Sequence, residues 1–156
     1  MNNTATDQTC EHGGHTSGLF KSSAHVTLHC LTGCGIGELL GLVIGTLAGW
    51  GAFATMSLAV VLAFVVGISL AAVTVMRNHG LALGAALATV WLGEVASISV
   101  MEIAMNGIDY AVGGVQAGSL AAPIFWIGFG LALPCGYLAA WPVNYWLLTR
   151  NLKHCH

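Results

Sequence analysis

The chain has 156 residues, of which 56% are hydrophobic and only 6% are charged, and its formal net charge is −2. Soluble domains carry about a quarter charged residues, so this composition excludes an ordinary soluble protein and indicates an integral membrane protein. A slightly acidic chain offers no basic surface for nucleic acid. The sequence also contains neither a hydrolase triad pattern nor a His-Glu-x-x-His motif that would predict an enzyme.

The first segment, residues 1–25, is polar and lacks the apolar core of a signal peptide, so we predict a disordered cytoplasmic head. It carries one of two short clusters of cysteine and histidine, and the other cluster lies in the tail, residues 150–156. Thiolate and imidazole donors favour capture of zinc or copper. The residues of the two clusters are Cys10, His12, His15, His154, Cys155 and His156.

Four stretches are apolar enough to cross the hydrocarbon core, which needs about 20 mostly apolar residues. We therefore predict an all-α, four-helix membrane bundle over residues 26–149, surrounded by the lipid bilayer. All four basic residues fall on the side shared by the two termini, which predicts that both termini are cytoplasmic. The predicted spans are roughly 26–50, 57–76, 81–106 and 120–148.

The first span combines a stripe of glycines with three polar side chains. At 3.6 residues per turn, Cys30, Cys34 and Glu38 lie within an arc of about 80° that overlaps the stripe. Stripes of small residues let membrane helices approach closely, so these groups are expected to face protein, with His29 about a quarter turn away. The stripe comprises Gly33, Gly37, Gly41, Gly45 and Gly49.

The second span carries no charge between residues 57 and 75 and is interpreted as a scaffold helix that faces lipid. The third span differs, because acids and thioethers share one face of about 100°. A carboxylate near the bilayer centre costs at least about 2.5 kcal/mol, so it normally has a partner, a proton or a function. This face carries Trp91, Glu94, Met101, Glu102, Met105 and Asp109.

The midpoints of three predicted spans coincide with ligand-type residues. The first span is centred on Glu38, the third on Glu94 and the fourth near Cys135. Each i, i+4 step along a helix rises about 6 Å, so at most two of the three ligand-type residues in the first span can hold one ion. The predicted central metal or proton site consists of Cys30, Cys34 and Glu38, completed by Glu94 or Cys135.

Three functions fit these residues. The leading one is a transporter or membrane-bound carrier of a transition metal. Thiol, thioether and imidazole donors favour copper, whereas the glutamates suit zinc, iron or protons. The second is a haem-binding redox protein with His25, His29 or His79 as axial ligands. The third is a non-catalytic assembly subunit whose glycine stripe serves homo-oligomerisation.

The stretches "HCLTGCGIGELLG", "MEIAMNGIDY", "FWIGFGLAL" and "PVNYW" resemble a family of small bacterial four-span membrane proteins known only as a domain of unknown function. The resemblance covers most of the chain from about His25 to Trp146, and its most specific part is the His-Cys-x-x-Gly-Cys-x-x-x-Glu run from His29 to Glu38. It implies a bacterial inner-membrane location and supplies no activity.

Overall fold

The computed structural model describes residues 17–150, which form four long α-helices and one short 3-10 turn. The predicted metal-capturing clusters of the head and tail lie outside these residues. The helices are α1 (Ser17–Leu47), α2 (Ala52–His79), α3 (Leu83–Val112) and α4 (Pro123–Thr149), and the 3-10 turn (Val115–Ala117) lies between α3 and α4.

All four helices are long and apolar enough to span a membrane, which confirms the predicted all-α, four-span architecture. The shortest has 27 residues and is about 40 Å long at 1.5 Å per residue, more than the hydrocarbon core requires. Helix α1 begins at Ser17, so residues 17–25 of the predicted head are helical. Helix α3 continues to Val112, beyond the predicted end at residue 106.

Helix α1 packs against α2 through its glycines. An added Cβ at Gly37 would meet the backbone of Leu62 and Ala63, and one at Gly41 would meet the backbone of Ala59. Gly33 likewise lies on Gly67 and Gly45 on Thr55, so these contacts run along the second half of α1. The stripe therefore serves packing within the chain, and the two backbones approach because neither helix carries a large side chain there.

Two sequence-based assignments change with this packing. The second span was expected to face lipid, but α2 buries a face of small residues at every fourth position against α1, from Thr55 through Ala59 and Ala63 to Gly67. The fifth glycine of the stripe, Gly49, lies beyond the end of α1 with φ 70° and nothing within 4 Å of an added Cβ. Its left-handed backbone serves the turn that follows α1, and it takes no part in packing.

Helices α3 and α4 pack in a related way. Small or absent side chains on α4, at Gly128, Ala132, Gly136 and Ala140, are buried. An added Cβ at Gly136 would meet the side chains of Met101 and Met105 on α3. The two methionine side chains of α3 therefore pack against the face of α4 that carries only glycine and alanine.

A chain of buried hydrogen bonds joins α1, α3 and α4. The side-chain nitrogen Nδ2 of Asn144 donates to the Thr27 hydroxyl at 2.9 Å. The Ser97 hydroxyl donates to the side-chain oxygen Oδ1 of Asn144 at 2.5 Å. Thr27 in turn donates to the Ser23 carbonyl at 2.7 Å. These groups are fully buried, and their mutual bonding removes the cost of leaving them unpaired in an apolar bundle.

We expect Gly41→Leu to destabilise the bundle, because its side chain would collide with the α2 backbone at Ala59. Overpacking against side chains costs typically 1–3 kcal/mol, and a backbone cannot rotate away, so a loss of about 3 kcal/mol or more is expected. The matched control is Gly107→Leu on α3, where an added Cβ meets nothing within 4 Å. Thermal unfolding of the two purified proteins in detergent measures the difference, and equal melting temperatures would refute the close α1–α2 contact.

Candidate functional site

Four sulfur-bearing side chains belong to one buried hydrophobic cluster to which all four helices contribute, and we call these four side chains the sulfur cluster. It comprises Cys30 and Cys34 from α1 and Met101 and Met105 from α3. The two cysteine Sγ atoms are 4.0 Å apart, and both cysteines are free thiols. The exposed fraction is 5% for Cys30 and 0% for the other three.

The local sequence explains how the thiols and thioethers come together. Cys30 and Cys34 are one helical step of four residues apart and so lie on the same face of α1. Gly67 on α2 leaves room for the second thiol, since an added Cβ there would lie 3.1 Å from the Cys34 Sγ. Gly136 on α4 likewise leaves room for the two methionines. Glycines on two helices thus create the space that the sulfurs fill.

The spacing of the two thiols is compatible with one shared ion. Two sulfurs that are 4.0 Å apart, each about 2.3 Å from a metal, subtend an angle of about 120° at that metal. Such an angle leaves space for a third donor. Thioethers from α3 belong to the same packed cluster, and thioether sulfur is a soft ligand that suits Cu(I).

Two carboxylates follow the sulfur cluster along the bundle, Glu38 on α1 and Glu102 on α3. They are 1% and 3% exposed, and their charges are close enough to interact. Among residues 17–150, neither oxygen of Glu38 has a hydrogen-bond partner, nor does Oε1 of Glu102. A buried carboxylate without a partner is costly in a membrane protein, so this pair is the strongest functional signal in the described chain.

Glu102 has a side-chain hydrogen-bond donor within residues 17–150, whereas Glu38 has none. The Asn106 side-chain nitrogen donates to Glu102 Oε2 at 3.1 Å and also to the Glu102 backbone carbonyl at 3.0 Å. A third acid, Asp109, also interacts with the charge of Glu38 and is held by the backbone N–H of Val115. Its side chain occupies the space left by Gly114 and Gly128, so Asp109 connects the end of α3 to α4.

Glu94 or Cys135 was expected to complete the site of Cys30, Cys34 and Glu38, and the structure places these two candidates differently from each other. The charge neighbours of Glu38 are Glu102 and Asp109, whereas Glu94 is a neighbour of Cys34. Helix α3 runs from Leu83 to Val112, so its midpoint lies near Ile98, between Glu94 and Glu102. Cys135 is half-buried and is not part of the sulfur cluster.

The three histidines of residues 17–150 lie on α1 and at the end of α2. His29 is half-buried on α1, with its Nε2 3.4 Å from the Thr74 hydroxyl of α2. His25 and His79 are exposed. Within residues 17–150, no three His, Cys, Asp or Glu side chains are grouped as they would be around a metal ion.

Sequence reasoning missed two buried amides. Asn106 orients Glu102, and Asn144 joins three helices through its hydrogen bonds. The available signal was the same one that singled out the acids, namely a strongly polar side chain inside an apolar helix. Small residues at every fourth position of α2 and α4 were equally visible in the sequence and predict the faces that pack against α1 and α3.

The fold and the buried polar residues define a multi-pass membrane protein built as a four-helix bundle. The family model described as "Domain of unknown function (DUF4396)" matches residues 19–153, so the chain belongs to this family. Comparisons with curated proteins and with solved structures give no match. The resemblance inferred from the sequence is therefore confirmed at the level of the family.

We expect Glu38→Met to stabilise the metal-free protein, because it removes a buried carboxyl group that has no hydrogen-bond partner within residues 17–150. An unsatisfied buried polar group costs about 1–3 kcal/mol, and methionine has a similar shape. Glu102→Met is the matched control and should gain less, since it also removes the acceptor of the Asn106 hydrogen bond. Denaturant unfolding in detergent with a chelator present measures both changes. A loss of stability in Glu38→Met would mean that its carboxyl group is satisfied.

Proposed function

We propose that this protein binds a transition-metal ion inside the membrane at the sulfur cluster, as a transporter or a membrane-bound carrier, and that Cu(I) is the favoured ion. The observation that carries the proposal is the pair of buried thiols 4.0 Å apart in one packed cluster with two buried thioethers. Soft thiolate and thioether ligands select Cu(I).

The donor set favours copper over zinc and iron. Structural zinc sites take four ligands, almost always from cysteine, histidine and carboxylates. In the described part of the chain those donors do not gather in groups of three or more. Two thiols and a thioether are a sufficient donor set only for an ion that accepts soft ligands and low coordination, and this supports Cu(I).

The buried carboxylates give the site a means of balancing charge. A net charge in the membrane interior is costly, so the site is expected to be neutral with and without metal. Binding of a single positive charge then requires the loss of one proton from the thiols or from Glu38 and Glu102. Metal uptake would therefore release about one proton, and the apparent affinity for Cu(I) would rise about tenfold for each unit increase in pH.

The proposed setting is the bacterial inner membrane with both termini in the cytoplasm. The placement of Lys21, Arg77, Arg150 and Lys153 on one side supports this orientation. It also puts the cysteine and histidine clusters of the head and tail on the side from which cytoplasmic copper would arrive. Reporter fusions at each terminus measure the orientation, and a periplasmic carboxy terminus would contradict it.

The copper site is tested in a background that carries Cys10→Ser and Cys155→Ser, so that the thiols of the head and tail do not contribute. We expect this protein to retain about one Cu(I) per chain against a chromophoric Cu(I) chelator under anaerobic conditions. Adding Cys30→Ser and Cys34→Ser together should lower the affinity by at least about tenfold, because both cysteine sulfur donors are lost.

The matched control is Cys135→Ser, which removes a membrane cysteine outside the sulfur cluster and should leave Cu(I) retention unchanged. Equal retention by the variant lacking both cluster thiols would contradict the proposal. An equal loss in Cys135→Ser would also contradict it, because that loss would place the ion elsewhere in the bundle.

A further inference from the structure

Helices α2 and α3 pack against each other at one end and leave a groove at the other. Near the end of α2 and the start of α3, their buried side chains form one cluster that includes Ala72, Val75 and Ala86. Near the start of α2 and the end of α3 lies a groove of about 540 Å³, within the range of pockets that hold small organic ligands. Two of its lining residues, Phe53 and Ile103, are 85% and 75% exposed, so the groove opens on the surface that faces lipid.

Two serines, one on each helix, line this groove and offer hydrogen-bond acceptors. The Ser57 hydroxyl donates to the Phe53 carbonyl at 2.9 Å. The Ser99 hydroxyl donates to the Val95 carbonyl at 2.7 Å. A serine hydroxyl has a single hydrogen, so each oxygen retains its lone pairs for a hydrogen bond from another molecule.

Asn106 and Glu102 also line the groove, and they too leave an acceptor for a ligand. The two hydrogens of Asn106 Nδ2 are used within α3, because this nitrogen donates to the Glu102 carbonyl at 3.0 Å and to Glu102 Oε2 at 3.1 Å. The remaining polar atom of the Asn106 side chain is Oδ1, which is an acceptor. The unpaired Oε1 of Glu102 is buried and is not open to the groove. A ligand in the groove therefore meets hydrogen-bond acceptors, which it has to match with a donor.

The apolar walls describe the rest of such a ligand. Phe53 and Phe64 lie about three turns, or about 16 Å, apart along α2, with Val60 between them. Phenylalanine rings pack favourably against other aromatic rings and also cover aliphatic surface. The groove thus suits a ligand that carries both a ring and an extended apolar tail.

We propose that this α2–α3 groove binds a lipophilic phenol, that is, a membrane-soluble molecule with an aromatic ring, a hydroxyl group on that ring and an apolar tail. The phenolic hydroxyl donates to an acceptor of the groove, and the ring packs against a phenylalanine wall. The tail reaches the lipid through the exposed opening. A lipid acyl chain covers the apolar walls equally well but brings no donor, so hydrogen-bond complementarity favours the phenol.

This inference goes beyond the proposed copper site, since the three acceptor residues are not sulfur ligands. Glu102 lines the groove and also belongs to the proposed charge balance, so the test uses no variant of it. Binding of the phenol is measured on metal-free protein with a chelator present. Failure to retain Cu(I) and failure to bind the phenol are therefore separate results.

The test uses the full chain in lipid nanodiscs, and the probe is radiolabelled para-dodecylphenol. Its methyl ether has the same ring and tail but no hydroxyl hydrogen, so it serves as the ligand control. We expect saturable binding of the phenol above its partitioning into empty nanodiscs. The ether should bind at least about fivefold more weakly, because it makes no hydrogen bond to the groove.

Three variants locate the binding. The combination of Ser57→Ala, Ser99→Ala and Asn106→Leu removes the acceptors and should abolish the preference for the phenol over the ether. The matched control is Ser69→Ala, at an exposed serine of α2 that does not line the groove, and it should leave this preference unchanged. Val60→Trp fills part of the groove with the acceptors in place and should weaken binding of both ligands.

Three outcomes would overturn the inference. Equal binding of the phenol and the ether to the parent protein would indicate simple apolar occupancy, as by a lipid chain. An undiminished preference in the variant without the three acceptors would mean that the hydroxyl binds elsewhere. Normal binding of the phenol to Val60→Trp would place the ligand outside the groove.

Discussion

The close approach of α1 to α2 is the contact on which the rest of this bundle depends. Gly37 and Gly41 lie directly on the backbone of α2, so this face of α1 needs no large side chains to be buried. Helix α1 consequently contacts all three other helices, and its remaining inner face can carry Cys34 and Glu38. A bulkier stripe would push α1 outwards and expose these groups to lipid.

The bundle satisfies most of its buried polar groups, and this makes the exceptions informative. The Asn144 side chain on α4 is hydrogen-bonded to Thr27 on α1 and to Ser97 on α3, and Thr27 donates to the Ser23 carbonyl. Glu38 and one oxygen of Glu102 have no such partners within residues 17–150, although the same helices carry them. The unpaired oxygens of Glu38 and Glu102 are therefore exceptions among the buried polar groups, and they support the proposed role of these two acids as proton sites beside the sulfur cluster.

The sequence predicts the architecture well because membrane spans are determined by length and apolarity. The same holds for the interior position of Cys30, Cys34 and Glu38, which follows from their periodicity with the glycines. The partner of Glu38 could not be predicted in this way. It depends on how α3 is rotated and displaced along its axis against α1, which span length and helical periodicity do not determine. In the structure Glu102 and Asp109, and not Glu94, are the charge neighbours of Glu38.

X-ray absorption spectroscopy at the copper edge tests most directly the proposal that the buried sulfurs are the ligands of Cu(I). The sample is the Cu(I)-loaded protein with Cys10→Ser and Cys155→Ser. The account predicts that the nearest neighbours of copper are all sulfur, with thiolate distances of about 2.3 Å or slightly less. A shell dominated by nitrogen or oxygen, with the outer scattering of imidazole rings, would place the metal on histidines or carboxylates and contradict the account.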